Sequence, residues 1–165
     1  MQKITPCLWF DGDAEEAASF YVTLVPDSRV DKIVRSPADN PSMAKGEVLV
    51  VEFTLAGRKF TGLNGGPQFP FTEAVSFQIY CEDQAELDRL WTAIAEGGGE
   101  PGPCGWIKDR WGLSWQIVPT ELLEMFESDD RGGAERAMQA MLKMGKLELE
   151  ALRRAFRGSD EAASA

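Results

Sequence analysis

CGWIKDRWGLSWQIVP, residues 104–119, holds three of the five tryptophans of the chain, Trp106, Trp111 and Trp115. Asp109, Arg110 and Gly112 stand where a tight turn would form, and aspartate and glycine favour turns because one bonds nearby backbone and the other reaches positive φ. Beyond them Ser114, Trp115, Gln116, Ile117 and Val118 alternate as a half-buried strand does. Pro119, which has no N–H for a ladder, stops that strand. The spacing predicts a hairpin: a short strand over 105–108, a turn over 109–112 and a final strand.

Working outward, residues 75–81 read as a strand with Phe77, Ile79 and Cys81 on one face and Ser76, Gln78 and Tyr80 on the other. Asp83 followed by Glu86 is the aspartate form of a capping box. Leu87, Leu90, Trp91 and Ile94 make a helical stripe, and Gly97-Gly98-Gly99 ends it before a strand over about 100–103. The first half has the same order. A strand over 4–10 places Cys7 and Trp9 on one face and Pro6, Leu8 and Phe10 on the other. Asp13 and Glu16 open a helix buried through Ala14, Ala17, Ala18, Tyr21 and Leu24, and Pro26 closes it. Strands over 30–35, 47–55 and 58–64 follow, with a polar loop over 36–46. In the second of these, Leu49, Val51, Phe53 and Leu55 share a face opposite Val48, Val50, Glu52 and Thr54.

Asp13 falls on Asp83 and Glu16 on Glu86 at an offset of 70 residues. Self-similarity at a fixed period is read before anything else. It predicts an α+β chain of two tandem βαβββ modules, over about 1–71 and 72–120, paired in one domain over 1–120. Residues 121–165 are expected to be a C-terminal helical extension. One helix would run over about 132–144, capped by Asp129 or Asp130, and a second would use Leu149, Leu152 and Phe156. The polar tail GSDEAASA closes the chain.

Composition excludes several chemistries. The formal charge is −10 with no basic stretch able to track a phosphate backbone, so nucleic acid is not expected as a partner. No apolar run has the length of a membrane span, and MQKITPCLWF lacks a basic region leading into a long apolar one. Three well-spaced cysteines without a C-x-x-C pattern fit reduced thiols. A cytoplasmic location is the expectation. Histidine is absent, so no Ser–His–Asp triad, Cys–His dyad or histidine-held metal can form within the chain.

Four segments carry a finer resemblance: LWFDGDAEEAASFY (8–21), LNGGPQFPF (63–71), CEDQAELDRLW (81–91) and the tryptophan hairpin, with AMLKMGKLELEAL (140–152) as a matching helical tail. On these the chain resembles the PhnB-like, demethylubiquinone methyltransferase-like branch of the vicinal oxygen chelate superfamily, which includes glyoxalase, bleomycin-resistance and extradiol-dioxygenase proteins. The resemblance implies two modules side by side, their mixed sheets curving into a cup with the helices outside; a homodimer is the expected assembly, with the cup closing either within one chain or across the dimer. The metal enzymes of that superfamily place ligands on the first and last strands of each module. Carried over, these positions are Pro6, Ser76, Gln116 and a fourth near Leu63 or Asn64. Proline cannot ligate through its side chain, and serine and glutamine are weak neutral donors, so neither a metal nor another cofactor is expected. The methyltransferase label finds no strand followed by a G-x-G loop opening a helix, the usual nucleotide cradle.

If the faces holding Cys7/Trp9, Val51/Phe53, Phe77/Ile79 and Trp115/Ile117 pack on helices, the opposite faces line the cup. Leu8, Phe10, Asn64, Ser76, Gln78, Trp106 and Gln116 are then the candidate ligand-binding residues. Glu52 and Tyr80 are the candidate acid–base residues, Glu52 because partial burial would suit it to proton transfer. Each has a plainer reading: Glu52 as an edge-strand carboxylate, Asp109 as a turn cap, Cys104 as an inert thiol, Trp106 and Trp111 as packing anchors. The functional expectation is a metal-free small-molecule-binding protein. The alternatives are a metal-independent enzyme acting on a carbonyl compound, the methyltransferase of the family label, or an interaction module using the tryptophans and C-terminal helices.

Overall fold

The computed structural model describes residues 3–158. The chain divides into two compact units, Met1–Phe71 and Thr72–Ala165. The first contains β1 (Cys7–Phe10), α1 (Ala14–Tyr21), β2 (Arg29–Arg35), β3 (Val48–Leu55) and β4 (Arg58–Asn64). Its sheet runs β1-β4-β3-β2, with β1 parallel to β4 and the other pairs antiparallel. The second contains β5 (Ser76–Cys81), α2 (Gln84–Glu96), β6 (Glu100–Pro101), β7 (Trp106–Lys108) and β8 (Ser114–Pro119). Its order, β5-β8-β7-β6, again has only the first pair parallel. Both units are therefore βαβββ, and the fold class is α+β.

In each unit one sheet face is buried under the helix. In the first, Leu8, Phe10, Val51, Phe53 and Phe60 are buried together with Ala14, Ala17, Ala18 and Tyr21 of α1. The Phe53 ring stacks on Phe60 at 5.5 Å and lies 6.3 Å from that of Tyr21. Each such large side chain contributes roughly 1.5–3 kcal/mol by leaving water. In the second unit, Leu87, Leu90 and Ile94 of α2 are buried with Cys81, Ile107, Trp115 and Ile117.

The first strand corrects an expectation. Leu8 and Phe10 face the core, whereas Cys7 is exposed and Trp9 half-buried. The cause is a single residue. Between Phe10 and α1 stand Asp11, Gly12 and Asp13, but between Cys81 and α2 only Glu82 and Asp83. Gly12 takes φ +93°, a left-handed conformation that glycine adopts without cost. The helix starts thus match at an offset of 70 but the strands at 71, Leu8 on Ile79 and Phe10 on Cys81. Since side chains alternate at period two, one residue exchanges the faces.

The helix caps differ for the same reason. Asp83 Oδ1 accepts from Glu86 N at 2.8 Å while Glu86 Oε2 accepts from Glu82 N at 2.9 Å. Asp13 makes no side-chain cap; Asn64 Oδ1 accepts from Ala14 N at 2.9 Å instead.

Three further helices, α3 (Thr120–Glu127), α4 (Arg131–Met141) and α5 (Leu149–Arg157), lie within the second unit. The sequence pattern had not separated α3. Arg153 holds Glu121 in a forked pair, with Nη2 to Oε2 at 2.6 Å. Gln84 receives from Leu149 N and donates to Leu147 O, and Cys104 N and Gly105 N donate to Met144 O and Gly145 O. The polar tail beyond Gly158 lies outside the described residues. No helix among those residues is long and apolar enough to cross a membrane.

Candidate functional site

The second sheet builds its open face from register. Ser76 pairs with Ser114 and Gln78 with Gln116 across β5–β8; Trp106 pairs with Gln116 and Lys108 with Ser114 across β8–β7. Two rows therefore cross three strands: Ser76–Ser114–Lys108 and Gln78–Gln116–Trp106. Along them runs a hydrogen-bonded ladder. Tyr80 Oη donates to Gln78 Oε1 at 2.8 Å, Gln78 Nε2 to Gln116 Oε1 at 3.3 Å, and Gln116 Nε2 to Ser76 Oγ at 2.8 Å. Gln78 and Tyr80 are exposed; Ser76, Gln116 and Trp106 are half-buried.

Beside the ladder lies a cavity of about 510 Å³ within the same unit. Its polar lining comprises Glu73, Glu100, Lys108 and Ser114, and Pro101, Pro103, Trp106 and Ile107 supply apolar surface. Lys108 Nζ meets Glu73 Oε1 at 2.5 Å. This bond holds the Glu73 carboxyl below its ordinary range and the Lys108 ammonium above its own. Ser114 is 1% exposed, and its hydroxyl has no hydrogen-bond partner. Cys104 also lines this cavity. Sequence reasoning had Trp106 among its candidates and weighed Cys104, but it missed Ser114, Lys108, Glu73 and Glu100. The only signal was the alternation that places Ser114 on the face of Gln116.

The candidates of the first unit have other surroundings. Leu8 and Phe10 are core residues, which corrects their expected place on a ligand-facing surface. Asn64 is 3% exposed, and its amide is spent on Ala14 N and, through Nδ2, on Val48 O at 2.8 Å, so it is a structural cap. Glu52 is exposed on the open face, in register with Thr61. The burial expected for it is not there.

Asp109 shapes the hairpin. Its Oδ1 accepts from Trp111 N at 2.9 Å and Leu113 N at 3.1 Å, and its Oδ2 from Trp115 Nε1 at 2.9 Å. That is the work of a turn cap on a buried carboxylate. Arg110 lies over the Trp111 ring at 4.4 Å. Desolvation pushes the buried Cys81 thiol up to about 12, so it stays a thiol.

Register also settles where the metal positions of the superfamily's enzymes would fall. With the strands matched at 71, the counterpart of Ser76 is Thr5, not Pro6. Cys7 then matches Gln78, so Thr61, paired with Cys7, matches Gln116. Hydroxyl and amide donors stand at all these positions, and the amide N–H of Gln116 points at the Ser76 oxygen. Such neutral donors do not fit a divalent metal. Among the described residues no three His, Cys, Asp or Glu side chains gather around one point.

Tandem βαβββ modules with this strand order define the class, that of the vicinal oxygen chelate proteins. Residues 2–118 match the family model described as 3-demethylubiquinone-9 3-methyltransferase. The PhnB protein from Bacillus cereus is 33% identical over 72% of this chain and 100% of its own, with a TM-score of 0.63. The chain belongs to that family, the PhnB-like branch of the superfamily. Protein PA1353 from Pseudomonas aeruginosa (22% identity, 72% of this chain and 98% of that one, TM-score 0.53) shares the fold. So does the fosfomycin resistance protein FosX from Mesorhizobium loti (15% identity, 78% and 100%, TM-score 0.54). A search of curated proteins gives no match.

Proposed function

We propose that the open face of the second sheet binds a small organic molecule without a divalent metal. The observation that carries this reading is the Tyr80–Gln78–Gln116–Ser76 ladder. Its inner bonds engage both ends of each amide and fix their orientation, leaving each amide one N–H and one lone pair. Its ends remain available: Ser76 still has its hydroxyl hydrogen to donate, and the Tyr80 oxygen has lone pairs to accept. Ser76 and Tyr80 stand four strand positions apart, roughly 13 Å between their Cα atoms, a span suited to a metabolite-sized ligand. Trp106, next in the row after Gln116, adds an aromatic surface.

The ladder acts as a positioning device, because each amide is held before the ligand arrives and little ordering entropy is lost on binding. Gln116→Leu breaks two of its three bonds while keeping side-chain bulk. In a thermal-shift screen of small polar aromatics, ligands that stabilise the natural chain should bind Gln116→Leu about three- to tenfold more weakly. Equal binding by both proteins rejects the reading. A stoichiometric divalent metal in native mass spectra of the natural chain, lost in Gln116→Leu, rejects its metal-free part. The same spectra report whether the chain is a homodimer.

A second reading is supported by one feature, the exposed Tyr80 hydroxyl at the end of the ladder, which can turn from Gln78 and give its own proton to the oxygen of a carbonyl compound. Tyr80→Phe should then abolish turnover and spare binding. The family's methyltransferase name gains no such support from the turn after β4: Gly65 and Gly66 lead to β5 and not into a helix.

A further inference from the structure

The cavity beside the ladder carries an unbalanced charge. Glu73 is paired with Lys108, whereas Glu100, the register partner of Lys108, forms no bond to it. Glu100 acts on that ammonium only through space. Two carboxylates thus face one cation. The remaining wall is apolar or aromatic, and the Ser114 hydroxyl, buried against the cavity, has nothing to bond. A hydroxyl left so costs about 1–3 kcal/mol, and a ligand able to meet it recovers that cost. The volume falls in the range of small-molecule sites.

We infer that this cavity takes a small molecule bearing a protonated amine on a planar, apolar body, and turns carboxylates away. The inference rests on the reading that this face of the second sheet binds a small molecule, and it adds the charge of the ligand. An ammonium placed near Glu100 supplies the missing positive charge and can lie over the Trp106 face, where the ring quadrupole attracts it. One of its N–H groups meets the Ser114 oxygen. A carboxylate would instead have to displace Glu73 from Lys108 and leave two carboxylates without a counter-charge beside it. Ser114 and Trp106, which line the cavity, are the register neighbours of Ser76 and Gln116, so the cavity adjoins the ladder.

The test uses three probes with one ring and different charge: 2-phenylethylamine, 2-phenylethanol and 3-phenylpropionate. Each is titrated at neutral pH into the full chain and followed by proton–nitrogen NMR. The Trp106 indole N–H should move, the amine should bind roughly threefold or more tighter than the alcohol, and the carboxylate should bind most weakly. Glu100→Gln, an isosteric change, should remove the preference for amine over alcohol. Ser114→Ala should weaken both by about threefold. The inference is overturned if the carboxylate binds as tightly as the amine, if Glu100→Gln leaves the ranking unchanged, or if the amine causes no shift at about 10 mM. Gln116→Leu separates the two ideas. Affinities unchanged in that variant with the charge ranking intact reject the ladder alone, and weaker binding of all probes with no ranking by charge rejects the cavity inference alone.

Discussion

Asp109→Ala removes a carboxylate that receives two backbone N–H groups of its own turn and the indole N–H of Trp115. Asp109, Leu113 and Trp115 are all 3% exposed or less, so water does not readily replace the lost acceptor. A hydrogen bond to a charged group contributes about 1.5–3 kcal/mol, but burying the charge offsets part of the sum. The expected net loss is therefore about 3–5 kcal/mol, in the range for breaking a buried polar network. Asp109→Asn is the sharper probe. An asparagine keeps one acceptor oxygen and turns an NH2 group towards the donors on the other side, so the loss should be about 2–3 kcal/mol despite an unchanged shape. Urea unfolding followed by tryptophan fluorescence and by circular dichroism measures both variants. Combining Asp109→Asn with Trp115→Phe should give less than the sum of the single losses, because the two changes remove the same bond. If Asp109→Asn unfolds within about 0.5 kcal/mol of the natural chain, the carboxylate does not organise the hairpin and the argument fails.

Two further outcomes are expected. Asp31, Asp88 and Glu121 are held below their ordinary values of 3.8, 3.8 and 4.5, chiefly by hydrogen bonds from Thr54, Lys146 and Arg153 respectively. Carboxylates depressed in the folded state stabilise it fully above those values, and that contribution fades as pH falls through the lower, folded ones. Thermal unfolding between about pH 7 and pH 2 should show the decline beginning near pH 4.5, with a shallower slope in Glu121→Gln; a slope unchanged in that variant would count against the Arg153 pair. On the first strand, Leu8→Gln should cost about 3 kcal/mol or more by placing an amide in the core, whereas Cys7→Gln on the open face should cost less than about 1 kcal/mol. Equal costs in urea unfolding would contradict the strand match at 71.

The elements were legible because each carries a local signal. Asp83 and Glu86 three residues apart announce α2, and the alternation of Phe77, Ile79, Trp115 and Ile117 gives the inner face of the second sheet. The same logic failed at β1, where Cys7, Leu8, Trp9 and Phe10 are all apolar. A strand with no polar alternation does not state its face. The 70-residue offset read from the helix caps does not carry over to β1, because those caps stand one residue further from the strand in the first unit. Even the cap was misassigned there: Asp13 has the expected residue type, yet Asn64, fifty positions away in sequence, meets the amide of Ala14.

The site shows the opposite balance. Ser76, Gln78 and Gln116 could be placed on one face because alternation within a strand is a property of neighbours in sequence. Ser114 sits on that face too, yet nothing in the sequence separates a serine that is exposed from one that is buried against a cavity with its hydroxyl unpaired. That distinction arises from the rows across β5, β8 and β7, which exist only once register is set, and from Glu73 reaching Lys108 across thirty-five residues of chain. Chemistry carried by one strand is written in its own residues. Chemistry carried by the pairing of strands, including the surplus carboxylate of Glu100 opposite Lys108, becomes readable only when the sheet is assembled, and the charge selectivity assigned to this cavity belongs to that second kind.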